Sequence, residues 1–153
     1  MNIFGIGPAL LLAGASGFGL AKALDAYGGI TYSFEGFALA AATVVASPLL
    51  LAGLYFWLAS IIGLKATLAD GKLLTEGIYA RTRNPMYAAF IIFLVPALAL
   101  LLNNLVYLLA APLMYAVFDW LIGREEKLLL EKFGPEYEAY AARTTRLFPR
   151  LLD

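Results

Sequence analysis

The 153-residue chain contains no cysteine and no histidine. It therefore has no disulfide framework, no thiolate nucleophile, no imidazole base and none of the commonest zinc ligands. Catalysis by such a chain falls to carboxylates, arginine, lysine, tyrosine, backbone groups or a bound cofactor. Charge is scarce as well: 14% of residues are Asp, Glu, Lys or Arg, and 11 basic residues balance 11 acidic ones. Nucleic acid, which is held through a surplus of positive charge, is excluded as a partner. Absent too is a basic segment ahead of the first apolar run. The small residues Ala21 and Ala23 flank a charged Lys22, a poor signal-peptidase site, so the run is expected to be retained.

What remains is apolar: 62% of residues, with a mean hydropathy of +0.80, against roughly 45 to 50% in soluble domains. A soluble core of this size cannot hide so much apolar surface, and the chain is expected to be an all-α integral membrane protein. Spanning about 30 Å of hydrocarbon takes roughly 20 helical residues. Asn2 to Ala21 is such a run and predicts the first helix, whose Ala13, Gly14, Gly17 and Ala21 allow a neighbour to approach closely. Asp25 to Glu35, with Gly28, Gly29, Thr31 and Ser33, predicts a loop. Gly36 to Leu64 is charge-free for 29 residues and predicts one long second helix, tilted or kinked near Pro48.

Lys65 to Met86 is polar and predicts a cytoplasmic loop. Tyr87 to Phe118 is again charge-free apart from Asn103-Asn104, where a tight turn would make a hairpin of helices three and four. That hairpin places ten of the 11 basic residues on one side, all but Lys22, and the positive-inside rule makes this side cytoplasmic. Four spans with both termini cytoplasmic follow, in the cell (inner) membrane. Beyond Arg124 the pattern turns amphipathic, and Gly134-Pro135 predicts a helix stop and a new start. Short cytoplasmic helices therefore close the chain, with Tyr137 and Tyr140 on one side. One domain covers 1–153: helices one and two (1–64), the loop (65–86), the hairpin (87–122) and the tail (123–153).

Two stretches could carry chemistry. In Gly77 to Tyr87, Pro85 forces Asn84 out of the α region and predicts backbone groups available to a ligand. A plainer reading makes Arg81 and Arg83 positive-inside anchors and Tyr79 and Tyr87 interfacial aromatics. In Arg124-Glu125-Glu126-Lys127, the carboxylates could simply serve the helix and its ion pairs. Asp119, near the end of the fourth helix, is costly in a bilayer unless it faces a polar cavity or snorkels to the surface. Tyr115, Asp119 and Glu126 share one helical face, which suits a cationic ligand.

Lys65 to Pro149 resembles the isoprenylcysteine carboxyl methyltransferase and phospholipid methyltransferase family of small membrane enzymes. The elements are Gly77 and Tyr79, then Arg83, Asn84, Pro85 and Tyr87. After the hairpin come Glu125, Glu126 and Leu129, then Phe133, Gly134, Tyr137 and Tyr140, then Arg146 and Pro149. Many relatives carry His where this chain has Asn84, so no titrating base stands there, and the Gly-x-Gly element of eukaryotic phospholipid enzymes is missing. The resemblance implies S-adenosylmethionine-dependent methyl transfer to a lipophilic acceptor, a prenylcysteine-like carboxylate or a phospholipid headgroup, arriving sideways from the bilayer, with no metal. It implies cofactor contacts from Tyr79, Arg83, Asn84, Pro85, Tyr87 and Glu126, and places Glu125 and Arg146 by the acceptor as the catalytic candidates. Two alternatives stand beside it: a non-catalytic membrane scaffold or assembly subunit that binds through the small-residue face, and a sterol-reductase-like enzyme using NADPH.

Overall fold

The structure, a computed structural model, describes residues 5–150, the side chains of 66–70 excepted. Among these residues the chain forms helices α1 (Gly7–Gly28), α2 (Gly36–Asp70), α3 (Pro85–Leu101), α4 (Leu105–Phe133) and α5 (Pro135–Arg143), with a 3-10 turn at Gly77–Ala80. No strand forms among them; a parallel bridge joins Thr82 to Thr145. Three helices, α1, α2 through Lys65, and α4, are long and apolar enough to cross a membrane, and α3 is a shorter apolar helix. The chain is an all-helical membrane protein.

Helix α1 extends past its charge-free run to Gly28, where Gly29 in the left-handed region ends it, so the expected loop shortens. Lys22 and Asp25 sit in its last turns, where side chains reach the bilayer surface. Residues 2–4 of the expected span lie outside the described residues. Helix α2 continues through Pro48, and the Ser47 hydroxyl donates to the Thr43 carbonyl at 2.9 Å beside it. It runs on to Asp70, so the first part of the expected 65–86 loop is helical. In α3 a π-helical stretch, Ala89–Leu94, separates two α-helical ones. The widened turn lies just before Pro96, whose ring would otherwise meet the carbonyl of Ile92 and which has no N–H to offer.

Helix α1 packs chiefly on α4, and α2 on α3. A Cβ on Gly17 would lie 2.6 Å from the Ala110 Cα, so only glycine permits this approach. Leu10, Met114, Phe118 and Ile122 form the core between α1 and α4. Phe56 and Phe93 join α2 to α3, with ring centroids 5.0 Å apart. At one end of the bundle the α3–α4 turn meets the α1–α2 loop. The Asn103 side chain accepts from the Phe34 amide at 2.8 Å and donates to its carbonyl at 3.1 Å, while Asn104 accepts from Val106 N–H at 3.0 Å. The two asparagines thus make the hairpin turn. The start of α1, the 77–84 segment and the tail gather at the opposite end.

Candidate active site

Pro85 opens α3, and Asn84 stands outside the α region (φ −127°, ψ 58°) as a residue before proline must. Its backbone groups are nevertheless engaged, which corrects the expectation that they would be available. The carbonyl accepts from Ala88 N–H at 3.0 Å to close the first turn of α3, and the amide donates to Thr82 Oγ1 at 3.3 Å. The side-chain amide of Asn84 donates to the Arg146 carbonyl at 2.8 Å.

The tail reaches this segment because α4 stops at Gly134, which takes φ +52° at low cost. Tyr137 and Tyr140 of α5 are both buried, and the Tyr140 hydroxyl donates to the Tyr79 carbonyl at 2.8 Å. Beyond α5 the chain runs as a strap alongside residues 81–84. Arg83 N–H donates to the Thr145 carbonyl at 2.9 Å, Arg150 N–H to the Arg81 carbonyl at 3.1 Å, and Thr82 Oγ1 to the Leu147 carbonyl at 3.1 Å. Thr82 is fully buried in this seam.

The strap brings three distant charges together. Glu126, on α4, receives Arg83 Nη2 at 3.0 Å on Oε1 and Arg146 at both oxygens, Nε at 3.1 Å and Nη2 at 2.6 Å. Charge-assisted, two-pronged pairing of this kind is geometrically selective. Arg83 is further fixed by donating Nη1 to the carbonyls of Ala141 and Thr144, at 2.8 and 2.7 Å. Its Nε is buried and has no hydrogen-bond partner among the described residues. Arg146 also faces Asp119, Nη1 to Oδ1 3.7 Å. The hydrogen bond to Glu126 raises the Arg146 pKa above its ordinary value, and the guanidinium stays charged.

Glu125 points elsewhere, since one residue along a helix turns the side chain by about 100°. Its Oε1 accepts from Ile6 N–H at 2.5 Å and from the Tyr87 hydroxyl at 3.1 Å. The carboxylate therefore satisfies an amide at the start of α1 that has no partner within the helix, at the positive end of its dipole. Tyr79 turns towards α2, its ring against Gly63 and its hydroxyl donating to the Ser60 carbonyl at 3.3 Å. Burial pushes its pKa up to about 12. The phenols of Tyr137 and Tyr140 are also shifted upward, chiefly by burial.

Of the residues singled out in the sequence, Arg83, Asn84, Glu126 and Arg146 form one cluster, with Pro85 buried next to Asn84. Tyr87 and Glu125 form a second pair, and Tyr79 belongs to the contact with α2. Of the face drawn through Tyr115, Asp119 and Glu126, both carboxylates reach Arg146, while Tyr115 lies against the Phe118 ring. The parts not foreseen are backbone partners: Ile6 N–H, the carbonyls of Ala141 and Thr144, and the Thr82–Thr145 bridge. A carbonyl carries no residue-type signal, so nothing in the sequence marked them.

Fold and site together define a helical membrane protein with a compact ion-paired polar centre at one end of its bundle. Residues 63–136 match the family model described as phospholipid methyltransferase. The chain is 35% identical over 80 residues to protein-S-isoprenylcysteine O-methyltransferase of Schizosaccharomyces pombe, covering 52% of this chain and 34% of that protein. To probable protein-S-isoprenylcysteine O-methyltransferase of Oryza sativa subsp. indica it is 36% identical over 72 residues, 47% of this chain and 38% of the relative. The same identity and length hold for protein-S-isoprenylcysteine O-methyltransferase B of Arabidopsis thaliana, with 36% of that protein covered. Over this stretch the chain is similar to the isoprenylcysteine and phospholipid methyltransferases. The match spans about a third of the length of these curated relatives.

Proposed function

We propose that the protein is an S-adenosylmethionine-dependent methyltransferase acting on the carboxylate of a lipophilic, membrane-resident acceptor. The observation that carries this reading is Glu126 set between Arg83 and Arg146, beside a buried Arg83 Nε that has no acceptor among the described residues. A zwitterionic amino-acid end fits such a set: the orphaned guanidinium N–H suits its carboxylate and Glu126 its ammonium. When bound, the cofactor supplies a sulfonium methyl group for in-line displacement. Arg83 and Glu126 would hold it, with Asn84, Pro85 and Tyr87 shaping the surrounding pocket and Tyr79 bracing the 77–84 segment against α2, and Arg146 and Glu125 would lie towards the acceptor.

The choice of a carboxylate acceptor follows from the bases available. An amine headgroup must lose a proton before it can attack, whereas a carboxylate is already ionised at neutral pH. The chain has no histidine. The Tyr79, Tyr137 and Tyr140 phenols are held protonated by upward-shifted pKa values, Glu126 is engaged by two arginines, and the Glu125 carboxylate is engaged by the Ile6 amide and the Tyr87 hydroxyl. Attack by a carboxylate oxygen forms the C–O bond as the S–C pair returns to sulfur, and no proton moves. Alignment and exclusion of water are then the protein's main tasks. The names of the relatives, O-methyltransferases of S-isoprenylcysteine, point the same way. An apolar cavity of about 230 Å³ between α1, α2, α3 and α4, with Leu11, Leu50, Phe90 and Met114 among its lining, supports sideways arrival of a hydrocarbon tail.

The fuller architecture belongs to the same proposal: one domain, four spans with α3 as the short third, and both termini cytoplasmic in the cell membrane. The family model's description, phospholipid methyltransferase, favours a headgroup amine as the second reading. Membranes holding the protein, labelled methyl donor and either an S-prenylated N-acetylcysteine or phosphatidylethanolamine separate the two. Base-labile label on the prenylcysteine is expected. Base-stable label on the phospholipid would replace this reading with the second, and label on neither, with no binding of S-adenosylmethionine by calorimetry, would remove methyl transfer altogether.

A further inference from the structure

The two guanidinium groups on Glu126 are not equally held. Arg83, with 13% of its side chain exposed, is fixed by two backbone carbonyls as well as by the carboxylate. Arg146, 47% exposed, has only carboxylates as side-chain partners among the described residues. Its backbone, by contrast, is pinned, because the carbonyl accepts from Asn84 Nδ2 at 2.8 Å and Thr82 Oγ1 at 3.3 Å. The Arg146 side chain can therefore pivot about a fixed Cα. A cation arriving at Glu126 competes with both arginines, and the exposed, carbonyl-free one yields first.

Asp119 stands where the displaced group would go. It lies two turns before Glu126 on the same face of α4, towards the bilayer. Its Oδ1 is 3.7 Å from Arg146 Nη1, so a shift of about 1 Å brings the pair to hydrogen-bond distance. We propose that Asp119 is a positioning residue, which receives the Arg146 guanidinium when a ligand ammonium takes Glu126 and turns it towards the acceptor. This inference rests on the cofactor reading above. Asp119 does not touch either reactant; it acts through Arg146, and it makes room at Glu126 in the same movement.

The test is a double-mutant cycle read by calorimetry, titrating S-adenosylmethionine into the full chain in detergent micelles. Asp119→Asn leaves Arg146 more firmly on Glu126 and should weaken binding by about 5-fold or more. Arg146→Ala removes the competitor and should bind at least as tightly as the wild type. In the Arg146→Ala background, Asp119→Asn should then change nothing further, and Asp119→Glu alone should recover most of the loss. An equal loss from Asp119→Asn with and without Arg146, or no loss in either, overturns the inference while leaving the cofactor reading intact. If Asp119→Asn does not fold, Asp119→Ser enters the same cycle with the same criteria. Absence of binding by the wild type overturns the cofactor reading, and this inference with it.

Discussion

Glu126 is shared by two arginines at 3.0 and 2.6 Å, with 17% of its side chain exposed, and its negative charge is the feature on which the proposed pocket depends. Glu126→Gln keeps the size and removes the charge. A charge-assisted hydrogen bond contributes roughly 1.5 to 3 kcal/mol, so affinity for S-adenosylmethionine should fall about 10- to 150-fold, as calorimetry on the folded variant would report. Unchanged affinity would leave Glu126 as the clip that holds the strap. Tyr79 gives a prediction in pH. Its phenol is raised from 10.0 to about 12 in the folded chain. Below pH 10 both states hold the proton; between 10 and 12 the unfolded chain holds fewer, so stability falls as pH rises across that window. The loss should reach about 1 to 2 kcal/mol, and thermal unfolding in micelles from pH 9 to 11.5 should show a shallower decline in Tyr79→Phe. At this scale the sequence was only partly legible. Arginines and carboxylates at the ends of apolar runs mark themselves, and Arg83, Glu126 and Arg146 do converge. Which carboxylate meets which arginine depends on a strap that folds back across about 20 residues, and adjacent Glu125 and Glu126 differ only in helical rotation.

The helices themselves are legible in charge-free runs, and the α3–α4 hairpin in two asparagines that are costly in a mid-bilayer helix. Their ends were less legible, because Lys22 and Lys65 interrupt the apolar pattern without interrupting the helix. The π-helical turn of α3 has Pro96 as its physical cause, but a proline within an apolar run does not by itself say how the helix accommodates it. The contact of α1 with α4 offers a sharp test of packing. Gly17 faces the Ala110 backbone, whereas a Cβ on Gly19 would meet nothing within 4 Å. Gly17→Leu must push the helices apart and should destabilise the protein by about 1 to 3 kcal/mol, while Gly19→Leu should leave it nearly unchanged. Denaturant titration of both in one detergent makes the comparison; equal effects would mean that α1 does not seat on α4 in this register.

For the molecule as a whole, the 77–84 segment and the tail lie at one end and the 29–35 loop with the Asn103 turn at the other. If the basic end is cytoplasmic, cysteine placed at exposed Ser33 should react with an impermeant reagent only from outside, and cysteine at Arg143 only after the membrane is opened. The reverse pattern would invert the orientation while keeping the bundle. The pairing of helices also bears on how the chain is made. Successive helices α1 and α2 do not seat chiefly on each other; each finds its main partner in α4 and α3, which leave the ribosome later. A nascent chain that ends before residue 85 thus holds two helices whose glycine-lined faces have nothing to close on, and only insertion of the hairpin between them completes the bundle. Biogenesis should therefore be concerted late in synthesis, with chains cut short before the hairpin cleared by membrane quality control rather than accumulating as half-built intermediates.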